Sequence, residues 1–394
     1  MNRLQRQILD LLYCCLTGER VQLDADFDWT VAGPLGVAHQ ILPMLYHGAI
    51  QSQLSIPESV KANLEKASIR AVFVDQNQLY EIEQIRQNFL NNGIGFMLLK
   101  GALLKRLYPR SDMRPMGDVD ILIKTEQYDK IRPIMLQLGY QEIQESDHEL
   151  VWNKPGALHV ELHKRLIPSY NKDYYSYFGD GWRLAQTSDG LEHSMQEEDA
   201  FIYIFTHFAK HYRSAGIGIR HMMDLHIFLR AKPEIDRDYI ETELKKLQLF
   251  TFYRNVMETL AVWFEGKEDT VMSDYMTDRI FGSGAFGTHE NAVLWAGVKS
   301  TKTATAEQAQ KTKIVRLIFP SVTALSGKYP VLKKAPYLLP GVWIYRWVVA
   351  LLGKREVIRK HLDDAATMTD DNISAYQQSL NYVGLDFHFQ EPTE

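Results

Sequence analysis

Two aspartates separated by one residue stand in a short alternating segment, and no other feature constrains this chain as strongly. Residues 118–123 read Asp-Val-Asp-Ile-Leu-Ile and predict a β-strand. Side chains two residues apart on a strand share a face, so Asp118 and Asp120 would hold their carboxylates close together. Like charges at that distance repel, and the arrangement requires a compensating cation. Hard oxygen donors favour Mg²⁺ or Mn²⁺.

The surrounding residues add a third acid and two cations. Glu161 lies in a second alternating segment, His-Val-Glu-Leu-His, and would complete a three-carboxylate cluster if the two strands are neighbours. Three carboxylates can hold two metal ions, which stabilise the attacking and leaving oxygens of a phosphoryl displacement. Gly101 follows an apolar strand where a helix begins, a position suited to phosphate. Lys100 and Arg114 would neutralise triphosphate oxygens.

The hydrophobic period divides the chain into four regions. Helical spacing predicts a helical N-terminal region over residues 1–91, and short strands with intervening helices predict an α+β core over 92–166. Helical spacing returns in residues 167–298, which we expect to complete a cleft with the core. Residues 299–394 are expected to form a basic helical region with an acidic tail.

The order of these motifs resembles the polymerase-beta-like nucleotidyltransferase superfamily, with a glycine turn, an Asp-x-Asp strand and a later acid. More narrowly, Leu-Lys-Gly-Ala at 99–102 and Arg-Pro-Met-Gly-Asp-Val-Asp-Ile-Leu at 114–122 are similar to bacterial nucleotidyltransferase family proteins. The resemblance continues through residues 207–211, 218–220, 223–225, 284–287 and 319–320. It implies an α+β fold, in which a polymerase-beta-like core with a small mixed sheet is embedded in a mainly helical chain.

The resemblance also implies a Mg²⁺-dependent transfer of a nucleoside monophosphate from an NTP to a small-molecule, protein or RNA acceptor, releasing pyrophosphate. Asp118 and Asp120 would bind both metals and the triphosphate, and Glu161 would hold the catalytic metal and help to deprotonate the acceptor. The residues expected at the nucleotide or its phosphates are Lys100, Gly101, Arg114 and Gly117. The family's third acid is more often aspartate, so Glu161 departs from the pattern by one methylene.

Two other functions fit the same motifs. The chain could be a non-catalytic nucleotide-binding or regulatory protein of the same fold, or an RNA-modifying, toxin-like nucleotidyltransferase. Pseudo-enzymes usually lose an acid, and none is lost here, which favours the enzyme. In an NTP titration with and without Mg²⁺, absence of metal-dependent binding would support the first alternative. Steep salt-dependent RNA binding would support the second.

A basic helical stretch follows the core. His207 and His211 are spaced i, i+4 on one helix face, with Lys210 between them and Arg220 shortly after. These residues would form a basic wall facing the substrate, while partly buried, hydrogen-bonded histidines are the alternative. A zinc protease is disfavoured because Phe208 occupies the position where His-Glu-x-x-His requires glutamate.

Two further side chains are expected to support this site. Asp224 lies four residues after Arg220, and we expect the two to form an ion pair. His163 lies two residues after Glu161 and is favoured to hydrogen-bond a ligand carboxylate or to contact the nucleotide.

The net charge of -5 hides an uneven distribution. Residues 1–298 carry -9, residues 299–360 carry +11, and residues 361–394 carry -7. The basic segment would bind an anionic partner such as nucleic acid or membrane, or its own acidic tail. Within it, residues 335–353 are apolar, and a buried helix is favoured over an interfacial one. A membrane span is disfavoured by two prolines and Arg346.

The two cysteines, Cys14 and Cys15, are adjacent in a predicted helix and point to different sides, so no disulfide is expected. The first residues contain no apolar stretch long enough for a signal peptide. Together these features predict a reduced, cytoplasmic setting.

Overall fold

The computed structural model describes residues 1–23, 26–169, 171–187, 190–301, 319–326, 329, 331–353, 367 and 369–385. Backbone contacts divide the chain into two units. The first comprises Met1–Lys210, Ile217–Phe286 and Val383–Glu394, and the second comprises His211–Gly216 and Gly287–Tyr382. The four regions outlined from the sequence remain an interpretation of its patterning.

Helices make up most of the first unit. Before the sheet come α1 (Arg3–Thr17), α2 (Trp29–Ala38), α3 (Leu42–Gln51) and α4 (Glu58–Asn91). Within and after the sheet come α5 (Lys100–Lys105), α6 (Tyr128–Gln137), α7 (Lys172–Phe178), α8 (Glu197–Ser214), α9 (Ile219–Ala231), α10 (Arg237–Lys246), α11 (Phe250–Phe264) and α12 (Val271–Phe281). Helix α8 runs into the second unit for its last four residues.

A mixed sheet of seven strands organises the first unit. The strands are β1 (Phe96–Leu98), β2 (Asp118–Ile123), β3 (Gln141–Glu145), β4 (Glu149–Asn153), β5 (His159–His163), β6 (Ala185–Thr187) and β7 (Glu192–Met195). Their order across the sheet is β3-β4-β5-β2-β1-β7-β6. Strand β2 pairs parallel with β5 and antiparallel with β1. The second acidic segment is therefore a direct neighbour of the first.

The alternation in β2 explains how this strand presents its acids. Val119, Ile121 and Ile123 are buried in a core cluster that also contains Phe96 of β1 and Trp152 of β4. Because successive side chains alternate across a strand, Asp118 and Asp120 lie on the opposite face. Burial of the apolar face thus fixes the direction of both carboxylates.

The α+β fold expected from the sequence is confirmed, since a mixed sheet lies within a mainly helical chain. The sheet nevertheless extends past residue 166, where no further strand was expected. Strands β6 and β7 contain three and four residues, and β7 reads Glu-His-Ser-Met. So short and polar a segment carries no alternating apolar signal, and its position beside β1 depends on tertiary pairing.

The described part of the second unit is helical, with α13 (His289–Thr301), α14 (Val322–Leu325), α15 (Val331–Lys334), α16 (Leu339–Gly353) and α17 (Asp370–Tyr382). Within it, the Tyr376 hydroxyl donates to the Arg213 carbonyl at 3.0 Å. Over residues 335–347, where burial is described, the expected burial is not observed: Ile344 and Tyr345 are 58% and 59% exposed. Much of the basic segment and acidic tail lies outside the described residues.

Two further expectations concern the membrane and the cysteines. No helix in the described ranges is both long and apolar enough to cross a bilayer. Cys14 and Cys15 are buried and free. Burial raises the pKa of the Cys15 thiol to about 12, so this thiol stays protonated at neutral pH.

Candidate active site

Three carboxylates lie on two neighbouring parallel strands, and we call Asp118, Asp120 and Glu161 the acid cluster. Asp120 of β2 is the register partner of Glu161 of β5, and Asp118 is the partner of His159. Side chains at partner positions project to the same face of a sheet. The pairing of β2 with β5 thus brings together the three acids that the sequence placed in two separate segments.

Asp120 is the most strongly bound member of the acid cluster. Its Oδ1 atom accepts a hydrogen bond from Lys100 Nζ at 3.2 Å and lies 2.7 Å from His163 Nε2. The same His163 nitrogen lies 3.5 Å from Glu161 Oε2. Lys100 adopts a positive φ of 32° at the start of α5, a conformation rare for residues with a side chain. Such local strain often marks a functional position.

The acids differ in how the surroundings treat their charge. Burial alone would raise the pKa of Asp120, but the Lys100 ammonium and the His163 imidazole hold that pKa well below its usual value. Burial raises the pKa of Asp118, and the charges of Asp120 and Glu161 raise it further. The chain therefore supplies counter-charge for one carboxylate and leaves Asp118 in a field of excess negative charge.

Only two of the three acid-cluster carboxylates lie close enough together to bind one cation without moving. Among the described residues, ligand-type atoms within 4.8 Å of one another come from Asp120, Glu161 and His163, and from His148, Glu149 and His163. Asp118 stands outside both groups, although its pKa responds to the other two acids. Mutual repulsion keeps unneutralised carboxylates apart, so a cation would be expected to draw Asp118 inward.

A buried ion pair supports the loop that leads into β2. Lys105 Nζ lies 2.6 Å from Asp75 Oδ1 of α4, and both side chains are 2% exposed. Lys105 also donates to Gln78 Oε1 at 2.9 Å, and Gln78 donates to the Met116 carbonyl at 2.6 Å. Helix α4 thereby fixes the backbone two residues before Asp118.

A second buried ion pair holds the same loop from the other side. Arg114 donates from Nε and Nη2 to the two carboxylate oxygens of Asp224 at 2.8 and 2.9 Å. The Tyr108 hydroxyl donates to the same carboxylate at 2.8 Å. We call Asp75, Lys105, Arg114 and Asp224 the loop anchor.

This geometry corrects the expected pairing of Asp224 with Arg220. Two Arg114 nitrogens match the planar carboxylate of Asp224 in a bidentate arrangement. Arg220 instead donates to the Pro115 carbonyl at 2.7 Å and to Gln40 Oε1 at 2.9 Å. Arg114, expected at the nucleotide phosphates, is buried with its charge already matched.

The two glycines named from the sequence have different surroundings. A Cβ atom on Gly101 would lie 2.9 Å from Met116 Sδ and 3.1 Å from Arg114 Nη1, so a larger residue would force these side chains to shift. Gly117 is exposed, and a Cβ atom on it would meet nothing within 4 Å. The space beside Gly117 is therefore open immediately next to Asp118.

The remaining residues named from the sequence lie on or after α8. His207 and Lys210 are half-buried residues of α8 in the first unit, and His211 belongs to the second unit. Lys210 is close enough to His148 to help lower the pKa of that imidazole, although burial is the larger cause. Arg220 contacts the loop that precedes β2.

Three residues at this site were not identified from the sequence. His148 and Glu149 lie where β4 begins, and Glu149 is the register partner of His163. The ring of Tyr203 of α8 faces the ammonium of Lys100, and Lys100 Nζ is 5.8 Å from the Tyr203 ring centroid. The hairpin of β4 and β5 could have indicated the first two, because its turn at 154–158 sets which residues oppose each other. Tyr203 carried no such signal.

One comparison with known proteins identifies a family. The model of a family described as uncharacterised nucleotidyltransferases matches residues 25–265, which include the whole acid cluster and loop anchor. No curated protein and no solved structure matches the chain.

Proposed function

The chain belongs to the uncharacterised nucleotidyltransferase family, and from this premise we propose that it transfers a nucleoside monophosphate from an NTP to an acceptor, with Mg²⁺ or Mn²⁺ as cofactor. The observation that carries the proposal is the register of β2 and β5, which faces Asp120 with Glu161 and sets Asp118 one pleat away. Family membership supports nucleotidyl transfer in general. The metal, the base and the acceptor are parts of the proposal.

The acid cluster has the donor chemistry of a site for hard divalent cations. Its oxygens are carboxylate oxygens, and the low pKa of Asp120 keeps that group ionised at neutral pH. Asp118 and Asp120 would hold the nucleotide-bound metal, and Glu161 with Asp120 would hold the second. When bound, these ions would neutralise triphosphate oxygens and favour the ionised acceptor oxygen.

The side chains around the acid cluster have separate tasks in this proposal. Glu161 would accept the proton of the acceptor hydroxyl, whose oxygen then bonds to the α-phosphorus. The bond from that phosphorus to the bridging oxygen breaks, and pyrophosphate leaves with the bonding electrons. Lys100, whose ammonium now donates to Asp120, would exchange that hydrogen bond for one to a phosphate oxygen.

The open space beside Gly117 supports entry of the nucleotide next to Asp118. The loop anchor would keep this approach rigid, because both of its ion pairs hold residues 105–116 against helices. Arg114 then acts as a positioning residue, whereas Lys100 is the cation expected to touch phosphate.

Transfer of label from α-labelled NTPs tests the proposal directly. The full chain is incubated with Mg²⁺, cell extract and each NTP carrying label at the α- or γ-phosphate. We expect one acceptor to gain α-label and none to gain γ-label, and Asp120→Asn to lower transfer by at least about 100-fold. Asp129→Asn, an exposed aspartate of α6, is the matched control. Retention of transfer in Asp120→Asn, or transfer of γ-label, would contradict the proposal.

A further inference from the structure

A second group of ligand-type side chains lies on the far side of the His163 ring. His163 Nδ1 is 3.2 Å from His148 Nε2 and 3.8 Å from Glu149 Oε2. His148 Nε2 is in turn 3.6 Å from Glu149 Oε2. The antiparallel register of β4 and β5 places Glu149 directly opposite His163, and His148 precedes it by one residue. Three ligand-type atoms, from β5 and the start of β4, therefore lie within 4.8 Å of one another.

Hydrogen bonding alone satisfies this group incompletely. Two ring nitrogens that face each other at 3.2 Å can share only one proton. The Nδ1 atom of His148 is buried and has no hydrogen-bond partner among the described residues. An ion on His148 Nε2 and His163 Nδ1 would take the lone pair of each nitrogen in place of that single shared proton, and the proton of His148 would then sit on Nδ1.

The distances match those of a tetrahedral metal site. Zinc binds imidazole nitrogens at about 2.0–2.1 Å and carboxylate oxygens at about 2.0–2.2 Å, which separates tetrahedral ligand atoms by about 3.4 Å. The three observed separations, 3.2, 3.6 and 3.8 Å, lie close to that value. Two imidazoles and one carboxylate are also a donor set that zinc takes in proteins.

The second ring nitrogen of His163 has the partner that a metal-bound histidine usually has. A metal-bound imidazole usually donates its second N–H to a carboxylate, which orients the ring and strengthens the ligand. His163 Nε2 lies 2.7 Å from Asp120 Oδ1. We infer that His148, Glu149 and His163 form a site for a divalent transition-metal ion of the zinc type, separate from the acid cluster and joined to it through His163.

The residues around this site determine how a metal ion would reach it and how tightly the ion would bind. The side chains of Glu149 and His148 are 23% and 13% exposed, whereas that of His163 is 3% exposed, so an ion would enter past Glu149. Lys100, Lys210 and Arg165 lie near His148 and oppose a cation. Glu149 and the neighbouring acid cluster offset that charge. Binding at this site would keep the proton on His163 Nε2, facing Asp120.

Cobalt titration tests this site without any measurement of activity. Co²⁺ substitutes for Zn²⁺, and low-coordinate Co²⁺ with nitrogen and oxygen ligands absorbs visible light. The full, tag-free chain is treated with chelator and titrated with Co²⁺ at micromolar concentration. We expect one equivalent to produce a saturable visible band, which Zn²⁺ abolishes and millimolar Mg²⁺ leaves in place.

Two ligand variants and two controls locate the band. His148→Ala and Glu149→Gln should each weaken Co²⁺ binding at least about tenfold, with the fold checked by circular dichroism. His193→Ala removes a histidine of β7 that packs on Trp182, 5.3 Å between ring centroids, and should leave the band unchanged. Asp118→Asn should also keep it, which separates this site from the acid cluster.

The outcomes are exclusive. If wild-type chain shows no stoichiometric band, or if Glu149→Gln or a folded His148→Ala binds Co²⁺ as tightly as wild type, the inference is wrong. Glu149→Gln changes only one half-buried carboxylate, so the test stands even where His148→Ala fails to fold. Failure of nucleotidyl transfer would leave this result unaffected, because no nucleotide is present.

Discussion

The loop anchor and the acid cluster are both groups of buried charge in the first unit, and they balance that charge in opposite ways. In the loop anchor, Lys105 faces Asp75 at 2.6 Å, and Arg114 faces Asp224 at 2.8 Å, so each charge has one partner. In the acid cluster, three carboxylates share the Lys100 ammonium and the His163 ring.

This difference indicates that the loop anchor stabilises the fold, whereas the acid cluster is suited to bind a ligand. Matched buried pairs hold a backbone in place, and removing one partner is costly because the other charge stays buried. Unmatched carboxylates do not stabilise the empty fold, and a ligand that brings positive charge would offset their repulsion. We therefore expect charge-removing substitutions to lower stability in the loop anchor and to leave or raise it at Asp118.

The largest stability effect is expected for Asp75→Asn. The substitution leaves the Lys105 ammonium buried without its counter-charge, and we expect unfolding free energy to fall by about 3–5 kcal/mol. Urea denaturation at pH 7 measures it. Adding Lys105→Met removes the stranded charge and should recover most of the loss. A cost below about 1 kcal/mol for Asp75→Asn would show that the pair is no anchor.

A buried base outside both groups sets part of the pH dependence. Burial, with a smaller contribution from Arg230, lowers the pKa of His226 to about 4. Its ordinary value is 6.5, so between these values the unfolded chain binds more protons and stability falls as pH falls. The loss reaches up to about 3 kcal/mol by pH 4.

His226→Phe keeps a ring against Phe264, where the centroids lie 4.4 Å apart, and removes the titration. The difference in unfolding free energy between pH 7 and pH 4 should then shrink. An unchanged difference would assign the acid sensitivity to the other buried groups, the acid cluster included, and would weaken the comparison drawn above.

An intermediate effect is expected for Tyr108→Phe. The variant removes one hydrogen bond to the buried Asp224 carboxylate but leaves the bidentate Arg114 contact. Because hydrogen bonds to charged groups are stronger than neutral ones, we expect a loss of about 2 kcal/mol, measured by urea denaturation. A loss as large as that of Asp75→Asn would mean that Asp224 depends on Tyr108 more than on Arg114.

The smallest effect, of opposite sign, is expected for Asp118→Asn. Burial and the charges of Asp120 and Glu161 raise the pKa of Asp118, so the ionised carboxylate is disfavoured in the folded chain at pH 7. In metal-free buffer the variant should unfold at slightly higher urea concentration than wild type, while Asp129→Asn should not. Destabilisation by Asp118→Asn would show that the excess charge is balanced by the chain itself.

The acid cluster was largely predictable, whereas the loop anchor was not. Alternating apolar residues fix the face on which Asp118 and Asp120 lie, and the same period in β5 fixes Glu161. The sequence left open whether the two strands are neighbours, and the parallel pairing of β2 with β5 supplies that step. The Arg114 to Asp224 pair joins residues 110 positions apart, and local spacing favoured Arg220 instead.

Other features of the structure were not predicted because no local pattern in the sequence indicates them. Strands β6 and β7 are too short and polar to show a period. His148 and Glu149 acquire their position only through the β4–β5 register. The family, in contrast, followed from motifs that each lie within one short segment, and its identification is confirmed.

Calorimetric titration with NTPs tests the central claim, that the acid cluster holds a metal-bound nucleotide. Each NTP is titrated into the wild-type chain and into the Asp118→Asn/Asp120→Asn double variant, with Mg²⁺ and with EDTA. We predict that at least one NTP binds wild type in Mg²⁺, and that EDTA or the double variant weakens binding more than about tenfold. Equal NTP binding with and without Mg²⁺, or equal binding by the double variant, would contradict the account.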